Sequence, residues 1–329
     1  MSDAPIAAKQ TKQAGKLNSR AVLMFLLQYS HVITFLILVV AATLASPYFL
    51  NSTNILNVLR GASMVGVVSI GMTIVILAKG IDLSAGSLVG VAAITAAALA
   101  SNGSPVAWIA ALALCTALGA INGLMITKLK LEPFIATLAM MIFARGCIYL
   151  YSDGGDTYAQ GADAMFRALG SGYLWIIPIP VVVFLGLWLI AAYVMKHTRW
   201  GRHVYAVGAN QDAARVYGIK VDAIKIQVYA LAGFLAGVAG LILVSRVSVA
   251  EPNAGTLFEL DAIAATLIGG TSFDGGVGGV VGTILGVLIL AIITNMLNLM
   301  GVSPFVQMLA MGLIIVVAVV ISNLRNRQR

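Results

Sequence analysis

Long apolar segments, separated by short polar connections, recur along nearly the whole of this 329-residue chain. A helix needs about 20 mostly apolar residues to cross the hydrocarbon core of a bilayer. Hydrophobic residues make up 60% of the chain and charged residues 10%, against roughly half and a quarter in soluble domains. The sequence therefore predicts an all-α polytopic membrane protein with about ten transmembrane helices. The predicted spans are 23–45, 55–78, 84–101, 106–127, 133–151, 173–195, 226–245, 260–270, 278–298 and 304–322.

The basic residues predict how these spans are oriented. With a cytosolic N-terminus, 16 of the 20 lysines and arginines fall at cytosolic ends, and the exceptions are Arg60, Arg145, Arg167 and Arg246. Positive residues are enriched in cytosolic loops of membrane proteins, so this bias places both termini in the cytosol. The same bias accounts for the pI near 9.6, and we therefore expect membrane lipid, not nucleic acid, around the chain.

This topology divides the chain into three parts. Residues 1–22 and 323–329 are predicted cytosolic tails, and residues 23–322 a single transmembrane domain. The basic connection 196–225 is then cytosolic, and the connections 152–172 and 247–261 lie outside. Within the basic connection, the sequence predicts a short helix over Gln211–Tyr217, with Gly218 suited to its C-terminal cap.

An internal repeat relates the two halves of the chain. Residues 133–140 (Pro-Phe-Ile-Ala-Thr-Leu-Ala-Met) and residues 304–311 (Pro-Phe-Val-Gln-Met-Leu-Ala-Met) agree at five of eight positions. A weaker correspondence pairs Asn122 in span four with Asn295 in span nine. The two repeated segments run in opposite directions, so spans two to five and seven to ten are predicted inverted copies, a design found in transporters.

Several motifs of self-powered membrane proteins are absent from the sequence. The Gly15-Lys16 pair is followed by Leu17 and begins no phosphate-binding loop, and there is no H-E-x-x-H metal motif. The carboxylates Asp82, Glu132, Asp261 and Asp274 fall near predicted helix ends, whereas proton-coupled carriers place carboxylates deep within their spans. We therefore expect a transport subunit that is not an enzyme, binds no metal or cofactor, and draws its energy from elsewhere.

Polar residues at or within the spans are the candidates for a translocation pathway or gate. Asp82 and Ser84 precede span three, where helix capping and a gating role are both open. A central Arg145 would cost roughly 2.5–3.5 kcal/mol on insertion, so it needs a polar partner or a wet cavity unless it reaches the interface. Interhelical hydrogen bonding is the alternative role for the asparagines. The complete candidate set is Asp82, Ser84, Asn122, Thr137, Arg145, Asn295 and Asn298.

Five motifs stand in the order and spacing of a known family. They are Gly80-Ile81-Asp82-Leu83-Ser84, Pro133 through Leu138, Gly201-Arg202, Gly208 through Gly218, and Glu259 through Ala264 followed by Gly269-Gly270-Thr271-Ser272. The chain resembles, from about residue 30 onward, the permease subunit of ribose-type monosaccharide ABC importers, a group that also serves xylose, arabinose, galactose and allose. It departs from the family at Ala209, often glycine there, and at Asp274, where a small or apolar residue is usual.

The resemblance implies a set of partners and a location. It implies a bacterial inner-membrane permease that pairs with a second copy or a paralogue, and an extracytoplasmic protein that delivers the sugar. It also implies a cytosolic ABC ATPase subunit that binds ATP and Mg²⁺. The residues implied to couple to that ATPase are Gly201, Arg202, Gly208, Asn210, Ala213, Ala214, Arg215 and Gly218.

The sequence is consistent with two functions. The first is the permease of an ATP-driven monosaccharide importer, and the alternative is an ion-coupled secondary carrier of a small polar solute. The lack of deep carboxylates favours the importer. Nothing in the sequence names the sugar, because a permease receives its substrate from the binding protein.

Overall fold

A computed structural model of the chain describes residues 30–326. The predicted tail 1–22, the first residues of span one and residues 327–329 lie outside this range. The helices are α1 Ser30–Ala45, α2 Ser52–Leu77, α3 Ala85–Ala98, α4 Ser104–Lys128, α5 Pro133–Ser152, α6 Ala164–Ser171, α7 Ile179–His197, α8 Arg199–Ala209, α9 Gln211–Val216, α10 Val221–Val247, α11 Phe258–Ile268, α12 Val280–Leu299 and α13 Pro304–Asn326. The strands are β1 Thr157–Tyr158, β2 Tyr173–Leu174, β3 Ile177–Pro178 and β4 Val249–Ala250.

Each of the ten predicted spans contains a helix, but the helices differ in length. Six of those described, α2, α4, α5, α7, α10 and α12, are long and apolar enough to cross a membrane. Among the described residues, the apolar helical stretches of α1, α3 and α13 are shorter, at 10–17 residues, and α11 has 11 residues. At about 1.5 Å per residue, an 11-residue helix cannot cross a hydrocarbon core of about 30 Å. The helices thus agree with a polytopic membrane protein, while the count of ten crossings is not established.

The beginning of predicted span six is not helical. Residues 173–178 form the antiparallel hairpin β2–β3, in which Tyr173 pairs with Pro178, and α7 begins only at Ile179. Proline at position 178 has no N–H to donate to a helix and disfavours helical geometry at the residue before it. Pro180 is tolerated because it lies in the first turn of α7.

Helices α2 and α10 occupy the centre of the bundle. Helix α10 packs on α4, α3 and α2, and small residues allow its backbone to approach α4 closely. A side-chain carbon on Gly119 would lie 2.3 Å from the Tyr229 carbonyl oxygen, and one on Gly233 would lie 2.3 Å from that of Cys115. Any larger residue at these two positions would therefore force the central helices apart.

The two halves of the chain pack in the same order. Helix α3 lies against α4, α5 and α10, while α11 lies against α12, α13 and α2. Glycine again permits the contact between α11 and α12, since a side-chain carbon on Gly282 would lie 1.9 Å from the Gly269 carbonyl oxygen. Each short helix is thus enclosed by two helices of its own half and one central helix of the other.

The bundle has two distinct ends. At one, called here the hairpin end, β1 pairs with β4 through Thr157 and Ala250, and α6 packs on the last turns of α10. At the other, called the α8–α9 end, α8 meets the end of α2 and the turn 269–279, and α9 packs on α8 and α10. The predicted basic connection 196–225 is therefore mostly helical, and α10 begins at Val221, five residues before predicted span seven.

Candidate functional site

Three predicted pathway residues form one buried cluster near the α8–α9 end. Asp82 Oδ1 accepts hydrogen bonds from the Ser84 amide at 2.9 Å and the Ser84 hydroxyl at 2.6 Å. The Asn122 amide nitrogen donates to Ser84 Oγ at 2.8 Å, which joins the start of α3 to α4. All three side chains are fully buried. Ser84 makes no side-chain cap to α3, so the capping role considered for it from the sequence is wrong.

Two atoms of this buried cluster have no hydrogen-bond partner, and the backbone beside it is held by two further side chains. Within residues 30–326, no group donates a hydrogen bond to Asp82 Oδ2 or Asn122 Oδ1, and both atoms are enclosed. The Tyr229 hydroxyl donates to the Ile81 carbonyl oxygen at 3.1 Å, and Thr137, whose hydroxyl donates mainly to its own helix, lies 3.5 Å from the same oxygen. Unpaired buried acceptors are uncommon and require an explanation.

The predicted residues Asn295 and Asn298 lie elsewhere, in a cavity toward the hairpin end. The cavity has a volume of about 370 Å³ and lies between α2, α11, α12 and α13. Three polar groups outside the predicted pathway set share it: Asn57, Thr294 and Asp261, which the sequence analysis named only as a carboxylate near a helix end. Aromatic and aliphatic side chains, with Phe258 among them, form the rest of the wall. Such a cavity, apolar with a few converging polar groups, has the composition of a small-molecule site.

This cavity is called here the outer cavity, because it lies toward the hairpin end. Two of its asparagines, Asn295 and Asn298, are held by hydrogen bonds from neighbouring helices. Asn295 and Asn54 exchange hydrogen bonds of 2.8 and 3.0 Å, which join α12 to the first turn of α2. The Gln307 amide nitrogen of α13 donates to Asn298 Oδ1 at 2.8 Å. Gln307 occupies the variable fourth position of the repeated Pro-Phe segment, and this polar departure from the first copy is the sequence signal for the contact.

Arg145 belongs to neither polar region. Its Nη1 donates to the carbonyl oxygens of Pro252 at 2.6 Å and Ala254 at 3.0 Å, and the Tyr149 hydroxyl one turn later donates to Asn253 at 2.6 Å. The partner required by a charged residue in a span is thus supplied by backbone carbonyls. Arg145 anchors the segment that leads into α11 and does not face the cavity lining.

A buried hydroxyl contact also escaped prediction. Thr73 Oγ1 lies 3.0 Å from Thr266 Oγ1 and 2.7 Å from Thr283 Oγ1, so α2, α11 and α12 meet through three hydroxyl groups. All three threonines are buried. Threonine commonly bonds to its own helix in apolar spans, and no single residue distinguishes such a contact in sequence.

The residues predicted to couple to an ATPase separate into a buried and an exposed group. A side-chain carbon on Gly201 would lie 2.4 Å from the Met195 carbonyl oxygen, and one on Gly208 would lie 1.7 Å from that of Leu77. Both glycines and Ala214 are buried. These three positions therefore allow α8 and α9 to pack on the bundle and offer no side chain to a partner.

The exposed group lies on and around α9. Asn210 caps α9 by accepting a hydrogen bond from the Ala213 amide at 2.9 Å, and Gly218 has the positive φ of +80° expected of a helix C-cap. Helix α9 ends one residue before the predicted boundary. Val216 and Tyr217, which sequence reasoning missed, are 85% and 86% exposed, so an apolar and an aromatic side chain project from this end.

Charged and polar contacts hold these two helices on the bundle. Arg215 lies 3.2 Å from Asp222, which also lies 3.4 Å from Lys128, and exposed pairs of this kind contribute about 0–1 kcal/mol each. The Tyr205 hydroxyl donates to the Gly278 carbonyl oxygen at 3.0 Å, and partial burial raises the pKa of this phenol. Arg202 is exposed beside a shallow depression between α7, α8 and α12.

Between residues 30 and 326, no three or more His, Cys, Asp or Glu side chains lie together as metal ligands would. The described polar sites are therefore built from amides, hydroxyls, single carboxylates and backbone carbonyls.

Comparison with known proteins identifies relatives along most of the chain. A family model described as "Branched-chain amino acid transport system / permease component" matches residues 54–319. The ribose import permease protein of Escherichia coli K12 is 42% identical over 304 residues, covering 91% of this chain and 94% of that protein. That of Bacillus subtilis is 44% identical over 292 residues, covering 88% and 91%. The galactose/methyl galactoside import permease of E. coli K12 is 34% identical over 342 residues, covering 95% and 99%. No solved structure matches this chain.

Proposed function

Because the chain belongs to the family of permease components of transport systems, we propose that it is the membrane subunit of an ATP-driven importer of a monosaccharide. The observation that carries this proposal is the identity of 41–44% to proteins named as ribose import permeases, along most of both chains. The more distant relatives named for galactose import extend the likeness to hexoses. These names leave the transported sugar open between a pentose such as ribose and a hexose such as galactose.

The chemistry of the outer cavity supports a sugar over the amino acid in the family description. The cavity presents the amides of Asn57, Asn295 and Asn298 and the hydroxyl of Thr294, which suit the hydroxyl groups of a neutral polyol. A zwitterionic amino acid would bring a carboxylate into the same space. In the part of the chain that the structure describes, no lysine or arginine lines the cavity to bind that carboxylate.

The packing of the helices supports an inverted repeat across ten spans. Under this proposal, residues 23–322 form one permease domain, spans two to five correspond to spans seven to ten, and both tails are cytosolic. The matching neighbours of α3 and α11, together with Pro133 and Pro304 at the first positions of α5 and α13, favour it. The α8–α9 end then faces the cytosol and the hairpin end faces outward.

The α8–α9 end is the proposed docking site of a separate ATPase subunit, which binds the ATP and Mg²⁺. Asn210, Ala213, Arg215 and Gly218 are exposed there, and the projecting Tyr217 is the aromatic type of residue that anchors protein interfaces. An extracytoplasmic sugar-binding protein is proposed to dock on the hairpin end. A second permease copy or paralogue, and lipid, are proposed to cover the exposed apolar faces of the outer helices.

The decisive experiment separates ATPase docking from folding. Ala214 is buried, so the informative substitution is at its exposed neighbour: Ala213→Glu. We expect this variant to keep its thermal stability but to lose co-purification of the ATPase and ATP-driven uptake in vesicles. Ala164→Glu, at an exposed position of α6 on the opposite end, is the matched control for co-purification. Full ATP-driven uptake by Ala213→Glu would contradict the proposal that the ATPase subunit docks at the α8–α9 end.

One observation favours the ion-coupled alternative, namely the single carboxylate Asp261 in the wall of the outer cavity. In such a carrier, uptake would cease when an uncoupler collapses the ion gradient and would survive depletion of ATP. The importer requires the opposite result, so one uptake measurement under the two conditions decides between them.

A further inference from the structure

The two halves of the chain carry equivalent polar residues at equivalent helix ends. The segment Asp82-Leu83-Ser84-Ala85 leads into α3, and Glu259-Leu260-Asp261-Ala262 opens α11. Asn122 lies near the end of α4 and Asn295 near the end of α12. In an inverted repeat, Ser84 and Asn122 of one half thus correspond to Asp261 and Asn295 of the other.

The corresponding pairs are arranged differently in the two halves. Ser84 and Asn122 are hydrogen-bonded at 2.8 Å and enclosed. Asp261 and Asn295 instead line the outer cavity of about 370 Å³, and Asn295 bonds to Asn54 of α2. One half is therefore closed at the position where the other is open.

The helices that follow show the same difference. Helix α5 packs directly against α4 in the first half. In the second half, another cavity of about 340 Å³ lies between α12 and α13, the counterparts of α4 and α5. Movement of α5 away from α4 would give the first half the arrangement that the second half already has.

The closed cluster contains two acceptors that no group of the described residues satisfies. Asp82 Oδ2 and Asn122 Oδ1 are fully buried acceptors without a donor. Both belong to the same hydrogen-bonded chain through Ser84. Unpaired acceptors of this kind suit the hydroxyl groups of a neutral polyol, each of which can donate one hydrogen bond.

We propose that the Asp82–Ser84–Asn122 cluster is the collapsed counterpart of the outer cavity, and that it opens toward the α8–α9 end as a second polyol site. There, Asp82 Oδ2 and Asn122 Oδ1 accept hydrogen bonds from sugar hydroxyls. The inference rests on the proposed importer function and adds to it a site inside each permease chain. The two sites are open alternately.

The test measures access to single cysteines in the reconstituted permease–ATPase complex. Cys115 and Cys147 are first replaced by alanine and serine, and ATP-driven uptake by this background is measured. Ser84→Cys and Thr294→Cys are then introduced separately and treated with a membrane-impermeant maleimide from each side. The labelling is repeated without nucleotide, with ATP, and with Mg-ATP and vanadate. Ala93→Cys, a buried position further along α3, is the control for general loosening of the bundle.

We expect one nucleotide state in which Ser84→Cys is labelled from the α8–α9 side about tenfold faster or more, the change expected when a minor conformation becomes dominant. In that state Thr294→Cys is protected, Ala93→Cys stays unlabelled, and D-ribose or D-galactose slows labelling of Ser84→Cys. Thr137→Cys, on α5 beside the cluster, gives the same readout if Ser84→Cys fails to fold. The inference is overturned if the background transports with ATP but Ser84→Cys and Thr137→Cys both stay unlabelled in every nucleotide state. Absence of ATP-driven uptake in the unsubstituted permease–ATPase complex refutes the proposed function instead.

Discussion

The contact of Gly208 with the end of α2 can be tested by adding one methyl group. In Gly208→Ala, the new carbon would lie 1.7 Å from the Leu77 carbonyl oxygen and 2.7 Å from the Gly276 amide nitrogen. These two atoms are joined by a hydrogen bond of 3.0 Å, so the methyl group would intrude between donor and acceptor. Both belong to the backbone and cannot rotate away, as the end of a flexible side chain could.

The expected loss of stability follows from this geometry. A normal carbon–oxygen contact is about 3.3 Å or longer, so α8 and α2 must separate by about 1.6 Å. Overpacking of this kind costs about 1–3 kcal/mol, and the displaced backbone hydrogen bond about 1 kcal/mol more. We therefore expect Gly208→Ala to lower the free energy of unfolding by about 2–4 kcal/mol, with α8 displaced from the bundle.

The assay compares this variant with a glycine that has space around it. A side-chain carbon on Gly186 of α7 would meet no other atom within 4 Å, so Gly186→Ala should leave stability unchanged or raise it by up to about 1 kcal/mol. Thermal unfolding of the purified protein and ATPase co-purification are measured for both. If Gly208→Ala is as stable as Gly186→Ala and retains its ATPase, the contact deduced for α8 is wrong.

Three further predictions concern separate surfaces. Tyr217→Asp should leave thermal stability unchanged, because the side chain is 86% exposed, but should weaken ATPase binding in co-purification. Arg145→Met should destabilise the protein by about 2–3 kcal/mol in thermal unfolding, because buried loop carbonyls lose a charged donor. The Ser104 hydroxyl, with the backbone N–H groups of Phe166 and Ser104, holds the pKa of Asp163 below its usual range. The stabilisation by Asp163 should thus be present above about pH 4, where an unfolded carboxylate is already ionised, and be lost as pH falls through the folded pKa. Asp163→Asn should remove this acid-dependent part of the unfolding curve.

The predicted fold was most accurate where one residue type fixes a helix boundary. Helices α5 and α13 begin at Pro133 and Pro304, as predicted, because proline is favoured in the first turn and excluded from the interior. The hairpin 173–178 was missed because its apolar residues continue without interruption into α7. Hydropathy does not separate an apolar hairpin from a helix, although Pro178 and Pro180 together contained the signal.

The candidate sites were predicted as residues but not as groups. Asp82, Ser84 and Asn122 were chosen for polarity in apolar surroundings, and the structure shows one hydrogen-bonded cluster that sequence spacing does not reveal. Asp261 was recognised only as a carboxylate near a helix end, yet it lines a cavity between four helices, which sequence spacing does not reveal. The assignment of Gly208 to partner docking stays a prediction, and the structure adds that Gly208 packs closely against the end of α2.

The C-terminal end of α8, Gly208 and Ala209, contacts both halves of the chain at one place. From this shared contact we predict how two substitutions combine in their effect on stability. In the first half, Gly208 contacts Leu77 at the end of α2, and Leu77 lies five residues before Asp82. In the second half, a side-chain carbon on Gly276 would lie 2.8 Å from the Ala209 amide nitrogen. Gly276 has a positive φ of +70°, so Gly276→Ala adds strain of about 1–2 kcal/mol to the steric overlap. If α8 moves both halves through one shared contact, either substitution alone already displaces its tip. The double variant should then lose less stability than the sum of the single losses, by about 0.5–3 kcal/mol, as expected of residues that share a contact. Additive losses in thermal unfolding would mean that α8 meets the two halves independently, and that an ATPase acting on it would need a separate connection to each polar region.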